Sequence, residues 1–315
     1  MPADLHLVRV ARRVELAEGV VGLTLESVDG TLPPWAPGAH IDLVLPSGIV
    51  RQYSLCGPLG SDTYEIAVLH EPDGRGGSAE VYRAIGPGAE LKIRSPRNRF
   101  PLEQSTEYLF FAGGIGITPL LPMIEAINQQ ALPWRLVYGG RSRSSMAFRD
   151  LLDPYDQVTI WPQDECGLIE VVSELTASPG AAVYACGPSP LIDAVGAAVD
   201  RAGRGPLHFE RFVPVPVASG QEGAPSQAFE VQLGEDGPVV QVAPDQSVLD
   251  AVLGAGADVL FSCEEGSCGS CQTRVLSCSV DHRDDLLTEE ERVAGEMLIC
   301  VSRCLSDRLV LDIAL

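Results

Sequence analysis

Hydrophobic and polar positions change their rhythm twice along the chain. Up to residue 103, apolar residues come in short, often alternating runs rich in Val, Ile and Leu, at 8–15, 20–27, 40–45, 51–55, 64–70 and 90–94. Alternation sends successive side chains to opposite faces, the period of a half-buried strand. Turn formers separate the runs: Asp29-Gly30, Pro46-Ser47-Gly48, Pro58-Leu59-Gly60 and Pro72-Asp73-Gly74. Six such strands predict a closed antiparallel barrel.

Beyond Pro101 the rhythm is different. Apolar strands at 108–112, 135–138, 158–161 and 182–186 alternate with helical stretches at 118–129, 145–152 and 190–202. That alternation predicts a parallel, doubly wound sheet. Residues 214–227 (PVPVASGQEGAPSQ) have no periodicity and are heavy in Pro, Gly and Ser, the composition of a linker. A small module follows, in which Ser247-Val-Leu-Asp250 predicts a capped helix start. The expected organisation is a barrel over 1–103, an α/β domain over 104–213, a linker over 214–227 and a third domain over 228–315.

Charge narrows the possible partners. The chain has 315 residues with 43 acidic and 22 basic side chains, a net charge of −21, which disfavours nucleic acid and anionic membranes. Apolar runs such as 108–112 are far too short to span a bilayer. Met1-Pro-Ala-Asp opens without a basic segment leading into an apolar one, so no signal peptide is expected and the cytoplasm is the expected compartment. From Phe229 onward, 17 acidic residues face 5 Arg, which places −12 of the charge on the last domain.

Six of the nine cysteines, Cys263, Cys268, Cys271, Cys278, Cys300 and Cys304, crowd that same domain. In a reducing compartment, such a crowd more often binds metal than forms disulfides. Cys263, Cys268 and Cys271 have C-x4-C-x2-C spacing and Cys300 follows after 28 residues, the plant-type [2Fe–2S] arrangement. Gly266, Ser267, Gly269 and Ser270 are small enough to let backbone N–H groups approach the sulfides. Structural zinc is the alternative, but it usually joins two short ligand hairpins, and this segment has a single C-x2-C. Cys278 and Cys304 are expected to be bystanders.

Ala112-Gly-Gly-Ile-Gly-Ile-Thr-Pro119 lies between a predicted strand and a predicted helix. Gly114 and Gly116 permit close backbone approach, Thr118 can cap the helix, and Pro119 suits its first turn. The helix N-terminus would then offer N–H groups to a pyrophosphate, although such turns also occur as plain tight connections. Ala185-Cys186-Gly187-Pro188 repeats the pattern at a later strand end, where open α/β sheets bind ligands.

Arg51-Gln-Tyr-Ser-Leu-Cys56 falls on a predicted strand, and Gly74-Arg-Gly-Gly-Ser78 opens a predicted helix. With Pro96-Arg-Asn-Arg-Phe100, Gly113–Pro119, Cys186-Gly-Pro188, the cysteine spacing and Val280-Asp-His-Arg-Asp284, they make a constellation. Over essentially its whole length the chain resembles the phthalate dioxygenase reductase family. That resemblance implies a six-stranded flavin mononucleotide (FMN) barrel, a doubly wound NAD-binding domain and a C-terminal β-grasp plant-type ferredoxin. It implies that Arg51 pairs with the flavin phosphate, Tyr53 packs along the isoalloxazine and ribityl chain, and Ser54 hydrogen-bonds near flavin N5. Gly76, Gly77 and Ser78 would contact the phosphate. Cys186 would lie near the nicotinamide, with Gly187 and Pro188 in the same nucleotide loop. Ser54 and Cys186 become the candidate catalytic pair. Phe209-Glu-Arg-Phe212 matches the segment closing the nucleotide domain near the flavin, and reads equally as a core strand. Ser277-Cys278-Ser279 departs from the family, in which Glu and Gly are common.

The three implied parts form one chain of electron transfer. A nicotinamide gives up two electrons together, a [2Fe–2S] centre takes one at a time, and a flavin converts between them. The five histidines are scattered and form no Rieske or mononuclear iron site, so oxygen chemistry belongs to another protein. The expected function is an NADH-dependent reductase for a Rieske-type oxygenase. The alternatives are another acceptor, such as a cytochrome P450, or an iron–sulfur redox sensor.

Overall fold

The computed structural model describes residues 5–212 and 227–313, apart from 262, 263, 265, 267, 268 and 285. The chain divides into two compact units, Met1–Val213 and Pro214–Leu315. The predicted linker thus lies outside the described residues, save for Gln227.

The first unit contains two sheets. The N-terminal one is built from β1 (Leu5–Ala17), β2 (Val20–Ser27), β3 (Ala39–Val44), β4 (Val50–Ser54), β5 (Tyr64–Leu69), β6 (Glu90–Arg94) and the two-residue β7 (Arg97–Asn98), with α1 (Gly77–Ala84) between β5 and β6. The order is β4-β3-β6-β1-β2-β5, with β7 beside β3, and every pairing is antiparallel. A bridge from Leu55 to Ile66, with Cys56 N donating to Glu65 O at 2.9 Å, joins the two ends of that order and closes the barrel. Alternation delivers Val8, Val10, Leu23, Leu25, Ile41, Leu43, Ile66 and Val68 to its core. The short seventh strand exists because Arg97 reaches back to the buried Asp42 on β3, donating to its two carboxylate oxygens at 2.8 and 2.7 Å.

The second sheet comprises β8 (Tyr108–Gly113), β9 (Trp134–Gly140), β10 (Val158–Pro162), β11 (Ala182–Cys186) and β12 (Leu207–Glu210), parallel throughout in the order β10-β9-β8-β11-β12. The central β8 is buried at all six positions, as a strand covered on both faces must be. Tyr108 and Phe110 face a core that includes α2 (Leu120–Gln129), α3 (Arg149–Leu152) and the strand ends. Leu109 and Phe111 face the other core, with α5 (Val171–Ala177) and α6 (Ser189–Arg201); the four-residue α4 (Gln163–Cys166) follows β10. The helix expected over 118–129 starts later. Gly114–Ile117 forms a 3-10 turn, and Thr118 donates its hydroxyl to Ile115 O at 2.9 Å rather than capping α2. The stretch at 145–152 is also interrupted, because Phe148 sits in the left-handed region at φ 62°.

In the second unit, β13 (Phe229–Leu233) and β14 (Val239–Val242) form a hairpin followed by α7 (Val248–Gly254). Next come β15 (Gln272–Ser277), β16 (Val280–Asp281), α8 (Glu289–Val293), β17 (Glu296–Leu298), β18 (Arg303–Cys304) and β19 (Arg308–Leu311). The sheet order is β14-β13-β19-β15-β17, with β19 parallel to β13, and β16 pairs separately with β18. A hairpin, a packed helix and a parallel last strand make this the expected β-grasp. Ser247 caps α7 by accepting from Asp250 N at 3.0 Å, and the helix buries Val248, Leu249, Ala251 and Val252. Among the described residues, no helix is long and apolar enough to cross a membrane.

Candidate functional site

Arg51 and Tyr53 share one face of β4, two residues apart, with Ser54 at its end. Tyr53 packs on the barrel core, and burial pushes its phenol well above the usual range. Arg51 crosses the start of α1. A Cβ added at Gly77 would meet Arg51 Cγ at 2.7 Å, so only glycine lets the side chain lie there. Gly76 precedes the helix in the left-handed conformation at φ 87°, and among the described residues no side chain caps the first turn. Ser78 accepts from Glu71 N at 3.2 Å through a lone pair, leaving its own O–H as a donor. An arginine laid across a helix start could hold a phosphate there.

The glycines after β8 have separate tasks. A Cβ at Gly116 would lie 2.3 Å from Cys186 O, and one at Gly113 would lie 2.5 Å from Pro188 Cδ. These two glycines bring the ends of β8 and β11 into contact. Gly187, at φ 152°, closes the same junction from the other side, 2.8 Å from Gly113 Cα by the same measure. Gly114, at φ 55°, faces open space. Thr118, expected near the nucleotide, is buried and bonded to its own turn. Pro188 stands before α6, whose first turn also has no side-chain cap.

At the carboxyl ends of β11 and β12, Cys186 and Glu210 are register neighbours. Glu210 reaches across to the barrel, where its carboxyl hydrogen-bonds the Ser54 side chain and its Oε1 lies 4.0 Å from His40 Nδ1. His40 and Ser54 are themselves partners in the β3–β4 ladder. Burial dominates the titration of all three ionisable groups. It raises Glu210 to about 8 against the Ser54 hydrogen bond, and lifts the Cys186 thiol well above its usual value, with Glu210 adding to the effect. It lowers His40 to about 4, with Arg97 and Arg99 assisting and Asp42 opposing. Near neutrality the cluster therefore carries no net charge and holds its protons on Glu210 and Cys186. Among the described residues, neither ring nitrogen of His40 has a hydrogen-bond partner, nor does Glu210 Oε2.

Ser54 and Cys186 are thus brought to one place, and the sequence reading missed the two groups beside them. Glu210 lies inside the Phe209–Phe212 segment, and His40 is, in sequence, one of five scattered histidines. Phe209 and Phe212 are 49% and 41% exposed, so this segment is not a core strand. Arg143, on the turn after β9, is held by Glu165 through contacts of 2.9, 3.1 and 3.0 Å.

In the second unit Cys271 and Cys300 are buried in one core with Met297, Leu298 and Ile299. Gly266 and Gly269 both adopt positive φ, 73° and 71°, which bends the loop between the expected ligands. Cys263, Cys268 and Ser267 lie outside the described residues. Two buried thiols beside a doubly bent glycine loop suit a thiolate-bound cluster. Cys278 and Cys304, the expected bystanders to the cluster, are joined to each other in a disulfide. The crowding rule fails for that pair because the β16–β18 ladder, and not sequence spacing, brings them together.

The 2Fe-2S iron-sulfur cluster binding domain family matches residues 232–305. The chain is 35% identical to the phthalate 4,5-dioxygenase oxygenase reductase subunit of Pseudomonas putida, over 97% of this chain and 96% of that protein. Among solved structures, phthalate dioxygenase reductase is 33% identical with a TM-score of 0.70, covering 98% of both chains. An intact type IV self-sufficient cytochrome P450 monooxygenase is 39% identical with a TM-score of 0.81, over 98% of this chain and 41% of the larger one.

Proposed function

The chain belongs to the phthalate dioxygenase reductase family, and we propose that it carries electrons from NADH through FMN and a [2Fe–2S] cluster to a Rieske-type oxygenase in the cytoplasm. It is an oxidoreductase combining flavin, pyridine-nucleotide and iron–sulfur electron transfer in the service of an oxygenase. The proposed domains are the FMN barrel at 1–103, the NAD-binding domain at 104–213, the linker at 214–227 and the ferredoxin at 228–315.

The observation that carries the reading is the meeting of Ser54, Cys186 and Glu210 where the barrel adjoins the parallel sheet. When bound, the flavin accepts hydride and releases electrons singly. Arg51, Gly76, Gly77 and Ser78 would hold its phosphate, and Tyr53 its ring. One arginine over one uncapped helix start matches a single terminal phosphate, which favours FMN over FAD. Gly114, Gly187, Pro188 and Cys186 would place the nicotinamide; Gly116 would serve through the strand junction. The engagement of Arg143 with Glu165 favours NADH, since a 2′-phosphate would have to displace a carboxylate. Cys263, Cys268, Cys271 and Cys300 would bind the cluster.

Hydride is two electrons and one proton, so when the electrons leave one by one the proton must leave too. Ser54 would receive it, and Glu210, protonated near neutrality and with 16% of its side chain exposed, would release its own proton toward solvent in exchange. An anaerobic NADH titration followed by absorbance tests the scheme. Flavin and cluster bands should bleach together, mass analysis of the released flavin should give FMN, and kcat/KM should favour NADH over NADPH. A flavin that bleaches while the cluster band persists would end the proposed order. The likeness to the self-sufficient P450 supports a second reading, a P450 acceptor, which reconstitution with each class of partner would separate.

A further inference from the structure

Cys278 occupies the turn between β15 and β16, at φ 155°, and Cys304 ends β18. The β16–β18 register sets Val280 opposite Cys304 and Asp281 opposite Arg303, which folds the turn back onto Cys304. The two sulfurs are bonded, with Cα atoms 6.4 Å apart across a sequence separation of 26. Ser306 Oγ lies 3.5 Å from one sulfur and 3.2 Å from the other. Both cysteines are half-buried, while Ser277, Ser279 and Ser306 beside them are exposed, as is Leu305 at 65%. A shallow cavity of about 240 Å³, lined by Leu276, Cys278, His282 and Val293, opens next to the bond and is large enough for a small thiol. Accessible disulfides in reducing surroundings are usually redox-responsive rather than permanent.

What the bond fastens is the chain just after Cys300. Arg303 is 7% exposed, donates to the carbonyls of Gln246, Gln227 and Ala243 at 2.6, 3.1 and 3.0 Å, and lies over the Phe229 ring. Ser302 donates to Asp284 Oδ1 at 3.3 Å and accepts from Arg283 N at 3.2 Å. Val301 and Asp284 press on the ligand loop: a Cβ at Gly266 would lie 2.7 Å from Val301 Cγ2 and 3.4 Å from Asp284 Cβ. Residues 300–304 therefore meet the loop at one end and the disulfide at the other.

We propose that Cys278 and Cys304 are a reversible thiol–disulfide site, separate from the cluster ligands, whose closure steadies residues 300–304 and prolongs retention of the cluster. The retention half rests on the assignment of Cys271 and Cys300 as ligands. Opening is thiol–disulfide exchange with a small dithiol. One reductant sulfur attacks and the Cys278–Cys304 bond breaks to a mixed disulfide; the second reductant sulfur then displaces it. Two electrons and two protons pass to the protein, leaving two thiols and an oxidised, cyclic reductant.

The test uses full-length protein with its cluster, purified without reductant. After denaturation and alkylation, peptide mass analysis should find Cys278 and Cys304 blocked, and alkylated only if a dithiol came first. Decay of cluster absorbance in the presence of an iron chelator should accelerate at least about threefold once the bond is opened. Cys278→Ser and Cys304→Ser should assemble the cluster with full iron content, decay at that faster rate and ignore the dithiol. Alkylation of both cysteines without reductant would overturn the site. Unchanged decay after reduction, or equal acceleration by dithiol in the serine variants, would overturn the steadying role. Wild-type protein lacking iron and visible absorbance would overturn the ligand assignment and the retention claim with it, while the mass result would still judge the disulfide on its own.

Discussion

A carboxyl that keeps its proton at neutral pH leaves a mark on stability as well as on turnover. Unfolded, Glu210 ionises near 4.5; folded, it does so near 8. Between those values the unfolded state binds fewer protons, so Glu210 makes stability fall as pH rises through that window and level off above it. His40 acts at the other end: its folded value near 4 lies below the ordinary 6.5, so its share of stability is lost as pH falls through that interval. Glu210→Gln removes only the first slope. Its melting temperature should match wild type at pH 4 and exceed it at pH 8, by the equivalent of roughly 1–3 kcal/mol. An offset independent of pH would mean that glutamine merely packs better. In turnover, the amide cannot relay a proton. With a one-electron acceptor, kcat should fall roughly a hundredfold while KM for NADH holds.

At the scale of elements, the glycine-rich turn after β8 divides into packing and open positions. Gly116→Ala forces a Cβ to 2.3 Å from Cys186 O, where only backbone can give way, and should cost more than about 2 kcal/mol by thermal unfolding. Gly114→Ala meets nothing within 4 Å and bears only the cost of its positive φ, about 1 kcal/mol. It should melt close to wild type yet raise KM for NADH, because the added methyl fills space left open beside α2. Equal losses of stability would refute this division. The same turn shows where sequence reading stops. Strands β1 to β6 and β8 to β11 were legible because alternation and all-apolar runs are local signals. Thr118 was misjudged because a cap and a 3-10 turn use the same hydroxyl, and the choice between them depends on how Gly116 packs against β11. His40 and Glu210 escaped notice because each is ordinary within its own strand. They become a site only where the barrel meets the sheet, a juxtaposition that no spacing encodes. The Cys278–Cys304 bond was missed for the same reason, since it depends on the β16–β18 register.

For the whole molecule, the division into units at residue 213 would, on the proposed assignments, separate hydride chemistry from the delivery of single electrons. Every group assigned to flavin and nicotinamide lies in the first unit, and every proposed cluster ligand lies in the second. A chain ending at Gln227 should therefore still reduce a small dye with NADH, because Arg51, Ser54, Cys186 and Glu210 all remain. Delivery to the oxygenase should cease, because the low-potential carrier is gone. The second unit also carries the charge bias, 17 acidic residues against 5 Arg from Phe229 onward. If that surface steers docking onto a basic patch of the oxygenase, salt should weaken the encounter, since exposed charges are screened over about 8 Å at physiological ionic strength. Turnover with limiting oxygenase should then fall as salt rises, while dye reduction by full-length or truncated protein changes little. The outcomes separate cleanly. A truncated chain that drives the oxygenase at full rate rules out the ferredoxin exit. A full-length chain indifferent to salt leaves the exit in place and reduces the acidity of the domain to a contribution to solubility.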